Sequence, residues 1–171
     1  IKLSLKTLNV NQGDEVITAA NTFVATIGAI TELGAKPIFV DCDDTFCMNV
    51  DQVRKKISKK TKAIVPVHFT GYMTNMIKLK KISKQYKIPI VEDACQSILG
   101  SINKKKAGSW GEFGAFSLHP LKNINVWSDG GIITTNNKNY YKHLLLLRNH
   151  GLIDRDTAKI SGYNSRLDTF Q

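Results

Sequence analysis

Short β-rich apolar runs alternate with stretches of helical spacing along the whole chain. Gln12-Gly13-Asp14 is a turn signal, and Val16-Ile17-Thr18-Ala19-Ala20 after it predicts a strand. From Thr22 to Leu33 apolar residues recur at helical spacing and stop at Gly34, which predicts a helix with a glycine stop. Lys36 to Asp41 predicts the next strand and Asp51 to Ser58 a short helix. Ala63 to His68 predicts a strand with Pro66 near its end. Met76 to Tyr86 carries Ile77, Leu79, Ile82 and Tyr86 at helical spacing, and Ile88 to Asp93 predicts another strand. Gly114 to Leu118 and Gly131 to Thr135 predict a pair of strands, and Tyr140 to Arg148 a helix ending near Gly151. Residues 1–9 resemble the middle of an amphipathic helix, and 164–171 an element that starts and then stops. The chain therefore reads as a segment of a longer protein.

Strands separated by helices of this length need crossover connections, so the expected fold is α/β with a largely parallel sheet. In such sheets ligands sit at the carboxyl ends of the strands. No internal repeat, low-complexity tract or linker interrupts the pattern. No Walker A or G-x-G-x-x-G pattern supplies a phosphate loop of the nucleotide-binding kind.

Composition narrows the class. The chain has 171 residues, 42% hydrophobic and 22% charged, as a soluble globular domain requires. No apolar run reaches membrane-spanning length and the first residues lack a signal-peptide pattern, so no membrane partner is expected. Cys42, Cys47 and Cys95 show neither zinc nor redox spacing; an odd, sparse set fits reduced thiols in the cytoplasm, and no metal is expected. The net charge of +10 admits a nucleic-acid partner. Only Arg54, Arg148, Arg155 and Arg166 are arginines, however, and the lysines are spread widely. Lys55-Lys56 with Lys59-Lys60 falls late in a helix and the turn after it. Lys104-Lys105-Lys106 falls in an expected loop. Neither cluster has interleaved aromatics for base stacking, so both read as solvated surface and no nucleic acid is expected.

Two segments carry candidate chemistry. Asp93 closes the apolar strand of Val91-Glu92-Asp93-Ala94-Cys95-Gln96 and is expected at the ligand-binding edge of the sheet. Gln96 faces the same way if a helical turn comes next. Taken alone, an Asp in this position reads first as a helix cap. In Phe116-Ser117-Leu118-His119-Pro120-Leu121-Lys122-Asn123 a strand runs into a proline turn and then a lysine. A lone lysine after a turn is ordinarily solvated surface.

The whole set in this order changes that reading. Gly13-Asp14-Glu15-Val16-Ile17, Thr22-Phe23-Val24-Ala25-Thr26, Val40-Asp41, Pro66-Val67-His68 with Gly71, Glu92 to Gln96, Phe116 to Asn123, Asp129-Gly130-Gly131, Arg148 to Gly151 and Gly162 to Asp168 resemble the DegT/DnrJ/EryC1/StrS sugar aminotransferases over essentially the whole chain. The resemblance implies a type I large domain of the pyridoxal-phosphate (PLP) dependent transferases, a mostly parallel mixed sheet with helices on both faces. Residues 1–171 would be that large domain, truncated at both ends. An upstream Ser-Gly-Thr-type phosphate-binding segment and a smaller C-terminal domain would lie outside the chain.

The same resemblance assigns roles. Lys122 matches the lysine that holds PLP as a Schiff base, Asp93 the carboxylate beside the pyridine nitrogen, and Gln96 the residue near the ring hydroxyl. Ser117 matches a phosphate ligand and Phe23 the aromatic stacked on the ring. Asn164 matches a residue reaching the phosphate from the neighbouring subunit of a homodimer with a shared active site. The chemistry agrees with these roles. A protonated pyridinium is an electron sink, and a carboxylate beside it keeps it protonated, which Asp can do and Asn cannot. A lysine freed from its Schiff base can move a proton. Histidine at the lysine position would mark a dehydratase; Lys122 favours transamination. His68 and His119 read as ring-edge or packing residues before catalytic ones, and His143 and His150 as structural. Cys95 stands where a small residue such as Ala is common. The expected function is amino transfer from glutamate or glutamine to a nucleotide-linked keto-deoxysugar. The alternatives are a PLP-dependent dehydratase, an aminocyclitol aminotransferase, and a non-catalytic PLP-fold regulatory or binding module.

Overall fold

A computed structural model of the chain describes residues 1–169. Its elements are α1 (Lys2–Thr7), β1 (Glu15–Ala19), α2 (Val24–Thr31), β2 (Lys36–Val40), α3 (Val50–Lys56), β3 (Thr61–Val65), α4 (Met76–Tyr86), β4 (Val91–Asp93), β5 (Ser101–Ile102), β6 (Lys105–Lys106), β7 (Phe113–Ser117), β8 (Gly131–Thr134) and α5 (Lys138–Arg148). Strands β2-β1-β3 form one parallel set and β4-β7-β8 a second, in which β8 runs antiparallel to β7. Backbone bonds join the two sets. The Ile64 amide donates to the Pro89 carbonyl (3.0 Å), the Asp93 amide to the Pro66 carbonyl (2.9 Å) and the His68 amide to the Asp93 carbonyl (2.9 Å). The result is one mixed sheet in the order β2-β1-β3-β4-β7-β8. Pro66 is tolerated there because its carbonyl is used and its missing N–H falls where β3 has ended.

Period-two alternation sorts the strand residues between two faces. Val16, Ala63, Val65, Val91 and Phe113 pack with α1, α2 and α5 through Leu5, Ile30 and Leu144. Ile17, Ala19, Ile64 and Ile90 face the other way, onto Val50 and Val53 of α3 and Met76, Leu79 and Ile82 of α4. Helices therefore cover both faces, as expected. Because β2 and β3 flank β1, the chain reverses its direction of travel across the sheet at β1. Such a reversal opens a crevice at the carboxyl edge of the strands.

The expected strands and helices between residues 1 and 151 are present, with bounds moved by a few residues; no helix or strand begins among the described residues 164–169, and 170–171 lie outside the described residues. The second helix is confined to 24–31 because Thr22 and Phe23 belong to its entry, with Phe23 extended at the N-cap. Helix α4 ends on Lys87 at φ +56°, a left-handed cap without glycine. One expectation needs correction. Lys104–Lys106 is not an irregular loop. Asn103 (φ +49°) and Lys104 (φ +64°) form the two-residue turn of a β5–β6 hairpin. That hairpin brings the Lys105 ammonium to 4.8 Å from the Trp110 ring centre, so an aromatic does lie against this cluster. None of the described helices is long and apolar enough to cross a membrane.

Candidate active site

Asp93, the last residue of β4, is paired with Ala115 of β7. Ser117 stands two residues further along β7 and so shares the face of the sheet that Asp93 occupies. The Asp93 side chain is almost enclosed, at 5% exposure. Its Oδ2 accepts the Thr26 hydroxyl (2.6 Å) from α2, and its Oδ1 accepts the Cys95 amide (3.2 Å). The second bond closes a local turn rather than capping a helix, so the helix-cap reading of Asp93 is replaced by a turn. Beyond Asp93 the backbone makes a tight turn rather than a helix, with the Ser97 amide donating to the Ala94 carbonyl (3.0 Å). Gln96 Oε1 accepts the Thr70 amide (3.0 Å). An amide N–H can only donate, so the Gln96 carbonyl is engaged, and its NH2 has no acceptor among the described residues.

Lys122 sits on the loop between β7 and β8, half-buried. Its amide donates to the His119 carbonyl (2.8 Å), and its own carbonyl accepts Asn125 Nδ2 (3.2 Å). The loop is closed by Leu118 to Gly130 (2.8 Å) and Val126 to Leu118 (3.1 Å) amide–carbonyl bonds. His119 Nδ1 accepts the Leu121 amide (3.1 Å), which puts its proton on Nε2, 4.0 Å from Asp129. His119 thus buttresses the turn that presents Lys122. Ser117 Oγ accepts the His119 amide (3.2 Å) and keeps its own proton to donate.

Cys95 reports the field between these groups. Burial first, then the Asp93 carboxylate, push its thiol up to about 12, while the Lys122 ammonium works in the opposite direction. A thiol raised from 9.0 to about 12 holds roughly a thousandfold less thiolate at any pH well below 9. Alkylation of Cys95 by iodoacetamide at pH 8, followed by peptide mass spectrometry, is therefore expected to run at least about a hundredfold slower than that of a free cysteine peptide. Labelling at the peptide's rate contradicts this environment.

The remaining expected residues lie at the rim. Phe23 caps α2 one turn before Thr26 and is 70% exposed, which leaves its ring face open. Asn164 is exposed and makes no hydrogen bond to Asp93, Ser117 or Lys122. Its segment is zipped onto the end of α5 by Tyr163 to Leu147 (2.7 Å) and Ser165 to Arg148 (2.9 Å) amide–carbonyl bonds. His143 and His150 sit on and just after α5, and the His150 amide donates to Tyr163 (2.8 Å), a structural role.

Sequence reasoning passes over Glu92, which is fully buried. Alternation turns it to the face opposite Asp93. Its Oε1 accepts the Trp110 (2.6 Å) and Gly111 (2.7 Å) amides, and its Oε2 accepts the Gly108 amide (2.9 Å) and His68 Nε2–H (3.0 Å). His68 Nδ1 accepts the Thr74 amide (3.3 Å), so the ring is neutral with its proton on Nε2. His68 is a buried structural partner, as its packing reading anticipates. The one signal in the sequence is a carboxylate within an apolar strand.

The donor set suits PLP. Asp93 keeps a lone pair on each oxygen for a protonated ring nitrogen, Gln96 keeps its NH2 for a phenolate, Ser117 keeps a hydroxyl proton for a phosphate, and Lys122 supplies an amine. The mixed sheet and this edge define the class as a type I PLP-dependent transferase large domain. The family model of the DegT/DnrJ/EryC1/StrS aminotransferase family matches residues 1–171, and the chain belongs to that family. It is 41% identical over 172 residues to a pleiotropic regulatory protein of Geobacillus stearothermophilus, covering 100% of this chain and 46% of the relative. It is 38% identical over 172 residues to a UDP-N-acetyl-3-dehydro-alpha-D-glucosamine 3-aminotransferase of Acidithiobacillus ferrooxidans, covering 100% and 47%. The structure of NtdA from Bacillus subtilis with bound cofactor PMP superposes with a TM-score of 0.91 at 35% identity, covering 99% of this chain and 39% of that one. The chain spans about half the length of the curated relatives it matches.

Proposed function

We propose that the protein containing this chain is a PLP-dependent aminotransferase that moves an amino group from glutamate or glutamine to a nucleotide-linked keto-deoxysugar. The observation that carries this reading is the placement of Asp93 and Ser117 on one face of the sheet's carboxyl edge, with Lys122 on the loop after β7. The Acidithiobacillus relative, named for a nucleotide-linked amino sugar, supports the substrate class.

When bound, the cofactor supplies an electron sink for the carbon that loses its proton. The protein's residues do the rest. Asp93, held by Thr26 and the Cys95 amide, offers a fixed negative charge to the ring nitrogen. Gln96 donates to the ring oxygen, and Ser117 to the phosphate. Phe23 covers a ring face. Lys122 would hold the cofactor covalently between turnovers and, when released, its amine would move the proton between the substrate carbon and the cofactor C4′. Asn164, exposed on its anchored segment, would serve the site of a second copy in a homodimer with a shared active site. Three unpaired cysteines suit a reducing cytoplasm.

The name of the Geobacillus relative favours a second reading, a regulatory module without catalysis. Offering the full-length protein with PLP a keto-sugar nucleotide or a keto-inositol, and tracking loss of glutamate or glutamine, separates the readings. Donor loss with the keto-sugar nucleotide is expected. Loss only with keto-inositol replaces the substrate with an aminocyclitol precursor. No loss with either acceptor, from protein that retains PLP, supports the regulatory reading.

A further inference from the structure

We infer that Thr26, with Thr22 behind it, is the positioning residue that sets the orientation of the Asp93 carboxylate toward the cofactor ring. The inference rests on Asp93 being the ring-nitrogen partner. Three observations carry it. Thr26 is 1% exposed and its hydroxyl donates to Asp93 Oδ2 at 2.6 Å, a short bond to a charged acceptor. Thr22 Oγ1 donates to Thr26 Oγ1 at 2.8 Å, so the Thr26 proton is committed to Asp93 and cannot turn elsewhere. Finally, Oδ1 is taken by the Cys95 amide at 3.2 Å. With one bond on each oxygen, the plane of the carboxylate is defined, and the remaining lone pairs are confined to that plane.

The relay also explains why Thr22-Phe23-Val24-Ala25-Thr26 is built as it is. The two hydroxyls are spaced one helical turn apart and flank Phe23, the residue assigned to the ring face. One short segment therefore ties the carboxylate assigned to the ring nitrogen to the aromatic assigned to the ring face. Valine at either threonine would keep the volume and remove the link.

The test uses the full-length protein reconstituted with PLP and four variants: Thr26→Val, Thr26→Ser, Thr22→Val and Asp93→Asn. Two quantities are read without turnover: the rate of cofactor loss on dilution, and the induced circular dichroism of the cofactor's visible band per bound cofactor. Free PLP has no such dichroism, so its size reports how firmly the ring is oriented. Thr26→Val is expected to speed cofactor loss about tenfold and to change the dichroism. Thr22→Val is expected to do the same to a smaller degree, and Thr26→Ser to restore both. Asp93→Asn exceeds them all. If Thr26→Val matches the unmodified protein while Asp93→Asn does not, the inference is overturned and the Asp93 assignment survives. Equal damage from Thr26→Ser and Thr26→Val also overturns it, because a methyl packing role then suffices. If Asp93→Asn changes neither quantity, the assignment of Asp93 itself falls. Should Thr26→Val fail to fold, Thr22→Val and Thr26→Ser decide the matter by the same readings.

Discussion

Replacing Lys122 with alanine in the full-length protein is expected to lower amino transfer by about a thousandfold or more, while PLP still binds without a covalent link. Two functions disappear with one amine. The cofactor is no longer held covalently and ready for exchange, and the base that moves the proton is gone, a loss of roughly 10²–10⁴ by itself. Binding survives because Asp93, Gln96 and Ser117 are positioned from other elements: β4, the turn after it and the end of β7. Lys122→Arg is expected to be as inactive as Lys122→Ala, since it keeps the charge and loses the nucleophile. Single-turnover donor conversion measures the rate, and equilibrium dialysis of PLP measures binding. Activity retained within tenfold in either variant would remove Lys122 from the chemistry.

The largest expected effect on stability belongs to Glu92. Its four acceptor positions are all filled: three by backbone amides of residues 108–111 and one by His68. Glu92→Ala leaves those buried donors without an acceptor. The expected cost is about 3–5 kcal/mol, the range for stripping one partner from a buried charged network. That is a large share of the roughly 5–15 kcal/mol typical of a whole domain. Glu92→Gln keeps the shape but turns an NH2 toward donors, so about 2–3 kcal/mol is expected even from the closest isostere. Urea unfolding of the full-length protein, monitored at this domain, reads both. An unchanged midpoint for Glu92→Ala would show that the segment 108–111 finds other partners. The consequence reaches the site because Glu92 and Asp93 are consecutive on β4. The same strand that offers Asp93 to the carboxyl edge is fastened from its other face by Glu92.

These two residues also show what can be read from the sequence and what cannot. The strands and longer helices are legible because each buries a face whose period shows in the chain itself, as Ile17, Ile64 and Ile90 on one side and Val16, Val65 and Val91 on the other. Asp93 is noticeable by itself at the end of an apolar strand, whereas Ser117 and Lys122 are legible only through the family resemblance, since a lysine after a turn carries no local sign of a ligand. Glu92 is not, since its partners lie 16–24 residues away and include three backbone amides, which carry no sequence signal. Thr26 is hidden for a similar reason. Its bond to Asp93 spans 67 residues, and a threonine within a helix gives no local sign of its acceptor. The β5–β6 hairpin reads as a loop because its strands are two residues each, too short for alternation to show, and its turn is Asn103-Lys104 rather than a glycine pair.

The central claim is that Lys122 is the residue that carries the cofactor. The full-length protein, equilibrated with PLP, is reduced with borohydride, digested, and its peptides are sequenced by mass spectrometry. The added phosphopyridoxyl mass is predicted on Lys122, two residues after Pro120, in stoichiometric yield. A stoichiometric adduct on any other lysine, with Lys122 unmodified, would contradict it.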